Sequence, residues 1–217
     1  MKKIPLIVSL IILFTLVFIL LNPNKLYCYT QKTIASEALI KLEPPEPPES
    51  QISPDLIKLI YITNWDEDIA EFFISEAQKR NVLVFAEALP IIAIETGNTY
   101  RFDLINKNNN GTRDIGVFQI NDLTMIDIIK GLETEGEYYD NWDRFNPEIN
   151  IKMGMYWISH LKNNYQLENH QLFTSYNKGI NGGRQHASRS GSYVSNYSKK
   201  VKEVKNELTE LELVNIN

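Results

Sequence analysis

The sequence predicts a mainly helical domain with one small β-hairpin, set behind an N-terminal membrane-spanning helix. Three observations carry this expectation. Apolar residues recur at helical spacing through most of residues 66–211, and the Asn- and Gly-rich stretch "NKNNNGTRD" interrupts them between two short extended runs. Ile4 to Leu21 holds no charge over 18 residues, near the roughly 20 that cross a bilayer as a helix.

Lys2 and Lys3 precede that apolar run, so the chain is expected to be exported. The flanking "NPNKLYCYT" offers no A-x-A-like cleavage pattern, and "SEA" at Ser36 to Ala38 lies far from the run. Residues 1–30 therefore read as a signal anchor or a signal peptide, the uncleaved anchor being favoured, with the remainder outside the cytoplasm. Tyr27 is a poor neighbour for lipidation at Cys28. Residues 31–54 read as a Pro/Glu-rich linker, since "KLEPPEPPESQISPD" cannot build a core and favours an extended spacer.

Composition narrows the function classes. With 217 residues, 43% of them hydrophobic, the chain supports one core of roughly 100 to 200 residues. The single cysteine excludes an internal disulfide, and three histidines without Cys/His spacing imply no metal and no cofactor. Residues 1–30 carry three lysines and no acid, which leaves 19 basic against 27 acidic residues in the rest. That balance argues against nucleic acid as a partner, because phosphate binding needs clustered Lys and Arg.

Along the folded part, "DEDIAEFFISEAQKR" is an amphipathic helix with Asp66 placed to cap and Ile69, Phe72, Phe73 and Ala77 on one side. "VLVFAEALPIIAIE" is apolar nearly all round and predicts a central helix that Pro90 kinks or divides. It ends in Glu95, where an ionised side chain is costly to bury. Tyr100, Phe102 and Leu104 alternate with polar residues, and "IGVFQI" at 115–120 supplies the second strand of the hairpin.

Helices resume at "DLTMIDIIKG", with Asp122 as N-cap and Gly131 as stop, and at "NPEINIKMGMYWISHLKNNY", where Gly154 marks a close approach. "NHQLFTSYNKGINGG" predicts a short helix ending in a Gly-rich turn. Residues 198–217 form a C-terminal amphipathic helix with Val201, Val204, Leu208 and Leu211 on one stripe, for the core or for a partner. Trp65, Trp142 and Trp157 are expected in the core in preference to stacking on a ligand.

Four segments in order carry a family likeness: Glu95 with Thr96, "GVFQIN" at 116–121, "NPEINIKMG" at 146–154 and "SYNKG" at 175–179. Together they resemble the lytic transglycosylases with a lysozyme-like domain. "NKNNNGTRDIGVFQIND" is most similar to the small specialised members that accompany secretion systems, and the frame is similar to C-type lysozymes too. The sequence departs from the family in Thr96, Phe118, Ser175 and Pro90, none of which removes a reacting group. The resemblance implies a lysozyme-like (α+β) globular domain over residues 55–197, working on peptidoglycan glycan strands in the bacterial envelope.

It also implies residue roles. Cleavage of the β-1,4 bond between N-acetylmuramic acid and N-acetylglucosamine needs a proton on the leaving oxygen. Glu95, at the edge of the apolar "LPIIAI", has its charged form disfavoured and is the expected acid, then base. Gln119 on the second strand is expected at the substrate's amide or hydroxyl groups. Tyr176 is expected to reach toward Glu95 and the acetamido group, and Asn177 to support it. Asp114 stands near where C-type lysozymes carry a second carboxylate; its duller reading is a turn former closing the Asn-rich loop. A hydrolysing muramidase and a non-catalytic wall-binding protein are the rival functions.

Overall fold

The computed structural model describes residues 53–214, so the apolar N-terminal run and nearly all of the Pro/Glu-rich linker lie outside the described residues. Among the described residues no helix is long and apolar enough to cross a membrane. Seven α-helices and one three-stranded antiparallel sheet make up the rest, which fits the expected α+β, lysozyme-like domain.

Helix α1 (Pro54–Thr63) has no counterpart in the sequence reading, which continues the linker through Pro54. Its start is nevertheless locally encoded. Ser53 Oγ accepts the Leu56 N–H at 3.1 Å, and Pro54 occupies the first turn, where no backbone donor is needed. Helix α2 (Glu67–Lys79) follows, its buried face formed by Ala70, Phe73 and Ala77, with Ile69 and Phe72 only partly covered. Asp66 sits at the cap position without a side-chain capping bond.

Pro90 neither kinks nor divides the next element. The irregularity lies ahead of it, in a π-helical turn at Val84–Ala88 that runs into α3 (Leu89–Thr96). The Leu89 N–H reaches back to the Val84 carbonyl, and Pro90 falls within the first turn of α3, where its missing N–H costs nothing. Leu89 to Ala93 are all buried, and Gly97 closes the helix in the left-handed region at φ 60°.

The extended runs also fall differently from expectation. Residues 100–104 are not a strand; the sheet is β1 (Ile105–Lys107), β2 (Arg113–Ile115) and β3 (Ile120–Asn121), in that order. Its register sets Asn106 opposite Asp114 and Asp114 opposite Asn121, one polar row across three strands. A tight turn at residues 116–119 replaces the continuous second strand, because Gly116 at φ 81° and Gln119 at φ 49° leave the extended region.

Asn121, not Asp122, caps α4 (Asp122–Thr134), accepting the Leu123 N–H at 2.9 Å. Gly131 does not stop that helix; it lies inside it, where a side chain would collide with the Tyr156 hydroxyl. Helix α5 (Pro147–Tyr165) is capped by Asn146 and buries most of its first half. The close approach at Gly154 is made by the buried Phe118 ring, which any Cβ there would strike. Helix α6 (Asn169–Ser190) passes beyond the Gly-rich stretch, broken only at Gly179 (φ 69°, ψ 165°).

The last helix, α7 (Asn196–Val214), packs against α3, α6 and the π turn. Val201 and Leu208 are buried and Val204 is partly so, which turns the stripe to the core; the Leu211 side chain lies outside the described part. The helix start is fixed by a reciprocal pair: the Ser198 N–H donates to Ser195 Oγ at 3.1 Å and the Ser195 N–H to Ser198 Oγ at 2.9 Å.

Candidate active site

The C-terminal end of α3, the sheet, the 116–119 turn, α5 and the middle of α6 enclose one cleft of about 390 Å³. All five residues singled out in the sequence line it: Glu95, Asp114, Gln119, Tyr176 and Asn177. Trp157 lines it as well, contrary to the expectation of plain core burial, whereas Trp65 is buried and donates its Nε1–H to the Tyr100 carbonyl at 2.8 Å.

Glu95 is the most perturbed carboxyl there. Burial pushes it from its ordinary 4.5 to about 7, the Asp114 charge adds to the rise, and a hydrogen bond from Tyr197 partly opposes it. The Tyr197 hydroxyl donates to Glu95 Oε1 at 2.6 Å. The carboxyl is therefore held at one oxygen and can exist in both protonation states near neutral pH. That is the condition for an acid that must later act as a base.

Tyr197 is the site residue that sequence reasoning missed. It is one of eleven tyrosines and lies 102 residues from Glu95 in the chain. Its one local signal is the S-x-x-S pattern of Ser195 and Ser198, which marks a helix start and places Tyr197 in the first turn of α7.

The other lining residues are tied down by protein partners. Asp114 accepts Asn121 Nδ2 at 2.6 Å on one oxygen and Asn108 Nδ2 at 3.0 Å on the other. Gln119 sits in the turn and not on a strand; its Nε2 donates to the Gly116 carbonyl and its Oε1 accepts from Asn106, each at 2.6 Å. The Tyr176 hydroxyl goes to the Phe118 carbonyl at 2.8 Å instead of to Glu95. Asn177 is exposed at the rim, beside the Gly179 break.

Asn150 organises this frame from below. Completely buried on α5, it accepts the Phe118 N–H at 3.0 Å and donates to the carbonyls of Ile115 and Arg144 at 3.0 and 2.9 Å. It touches Gly116 so closely that no side chain fits there, which explains the glycine beyond its positive φ.

Replacing Tyr197 with Phe removes a donor to the ionised form of Glu95, so the carboxyl moves above about 7 and the basic limb of the activity profile shifts to higher pH. Losing a hydrogen bond to a charged group also lowers kcat about tenfold or more through looser placement of the carboxyl. A pH–rate profile superimposable on that of the native chain would show that Tyr197 does not act through Glu95.

Among the described residues no three His, Cys, Asp or Glu side chains converge as a metal site. No curated protein matches the chain. A match to the transglycosylase SLT domain covers residues 73–199, more than half of the sequence and every residue of the cleft named above. The fold, the cleft and this match agree, and the chain belongs to the transglycosylase SLT domain family.

Proposed function

We propose that the protein is a peptidoglycan lytic transglycosylase that cleaves the β-1,4 bond between N-acetylmuramic acid and N-acetylglucosamine with Glu95 as its single acid and base. The observation that carries this reading is the Glu95 carboxyl, raised to about 7 by burial in a cleft of sugar-binding size. Protonated Glu95 gives its proton to the glycosidic oxygen as the bond from C1 breaks, and the muramoyl ring becomes oxocarbenium-like. The C6 hydroxyl oxygen of the same ring then bonds to C1 while its proton passes to the Glu95 carboxylate. The product is a 1,6-anhydromuramoyl end, no water is consumed, and the acid is regenerated.

Tyr197 holds the carboxyl, and Gln119, Tyr176 and Asn177 line the path of the glycan. The amide side chains of Asn108, Asn110 and Asn121 in the cleft lining suit the hydroxyl and acetamido groups of such a strand. The apolar run Ile4–Leu21 supports attachment to the cytoplasmic membrane with the domain outside it. The likeness of residues 106–122 to the specialised secretion-associated members supports work beside an envelope machine.

One observation favours a second reading, hydrolysis by two carboxylates: Asp114 shares the cleft with Glu95 and its charge helps raise that carboxyl. Mass spectrometry of muropeptides released from purified sacculi decides between them. Transglycosylation gives products one water lighter than those of a muramidase, with no new reducing end. Release of reducing muramic acid ends alone would replace the first reading by the second.

A further inference from the structure

A second cavity, of about 380 Å³, adjoins the cleft through Asn177 and Lys178 and is walled by Tyr197, the residue that holds Glu95. Its remaining lining comes from α6 and the start of α7: His186, Val194, Ser195 and Asn196. Lys178 stands at the border of the two cavities: on the cleft side it shares the lining with Glu95 and Asp114, and on the other side with His186 and no carboxylate. Lys178 is exposed and makes no ion pair among the described residues. The start of α7 adds the positive end of a 19-residue helix to the same wall.

We infer that this second cavity binds a carboxylate of the peptide stem carried by the muramoyl residue being cut, so that the enzyme selects glycan strands whose stems are present and anionic. The inference rests on the function proposed above. N-acetylated sugars are uncharged, and the stem is the part of the substrate that bears carboxylates near the reacting ring. It leaves that ring from the lactyl ether at C3, close to the C1 that Glu95 serves. A pocket beside Glu95 that offers an unpaired ammonium, an imidazole and the amides of Asn177 and Asn196 is complementary to that group, and its positive charge has no counterpart in the bare glycan. The exposed Val194 gives the pocket one apolar side against which a small stem side chain can rest.

The test compares two preparations of the same peptidoglycan, one with native stems and one with the stem carboxylates capped as methylamides, digested by the full chain. The native chain is expected to cut the capped material about fivefold less efficiently in kcat/KM, the range of one partly exposed charge pair. Lys178→Ala with His186→Ala should bring the two efficiencies together, and Lys178→Arg should retain the preference. Equal cleavage of both preparations by the native chain overturns the inference and leaves the proposed function standing. Absence of anhydromuramoyl products from both preparations refutes the function itself. Unchanged melting temperatures in the variants confirm that selectivity and not folding has been altered.

Discussion

Glu95→Gln is expected to reduce release of anhydromuropeptides by about a thousandfold or more, the scale of losing a positioned acid and base together. Glutamine keeps the shape of the side chain and an oxygen for the Tyr197 hydroxyl, so the cleft remains while its proton chemistry disappears. A wall-binding protein would release nothing with either chain, which would remove the enzymatic reading, and equal release by both chains would remove Glu95 from the chemistry.

The same substitution carries an independent signature in stability. Glu95 titrates at about 7 in the folded chain against 4.5 when unperturbed, so folding favours its protonated form. Below the lower value the group is protonated in both states and has no effect. Between the two values the unfolded chain ionises while the folded one keeps its proton, so stability falls, by up to about 3 kcal/mol once pH has passed the upper value. Glu95→Gln removes that loss. Its melting temperature should match that of the native chain near pH 4 and exceed it near pH 8, by several degrees at about 2 to 4 °C per kcal/mol. A constant difference across that range would mean that Glu95 is not desolvated.

Asn150→Ala is expected to give the largest loss of stability from one substitution in the site's frame. It strands the Phe118 N–H and the carbonyls of Ile115 and Arg144 in the interior. Unsatisfied buried groups of this kind cost on the order of 3 kcal/mol together. That corresponds to a fall in melting temperature of roughly 6 to 12 °C. Activity should fall as well, because the Phe118 carbonyl receives the Tyr176 hydroxyl and the following residue is Gln119. Melting curves that coincide with the native one would show that the turn is held by other contacts.

How much of this was legible beforehand depends on how local each feature is. The helix starting at Glu67 was legible because its signals lie within one turn of one another, whereas the equally local cap at Ser53 was masked by the Pro/Glu-rich run that precedes it. Local rules also misled where two of them competed. Pro90 reads as a breaker, yet the π turn before it absorbs the missing donor; Gly131 and the glycines after Lys178 read as stops, yet packing carries their helices onward. The alternation at residues 100–104 reads as a strand, but Tyr100 takes φ 53° and the pairing register begins at Ile105.

By itself the sequence determined that a carboxyl ends an apolar helix, because polarity is written along the chain, and the order of its motifs carried the family resemblance that made Gln119, Tyr176, Asn177 and Asp114 candidate companions. Only the tertiary structure decided that Tyr197 grips that carboxyl, that Tyr176 turns to Phe118, and that a basic cavity opens beside the cleft. Those facts arise from α7 docking against α3 across about a hundred residues of chain, a contact that side-chain packing selects and that no local periodicity encodes.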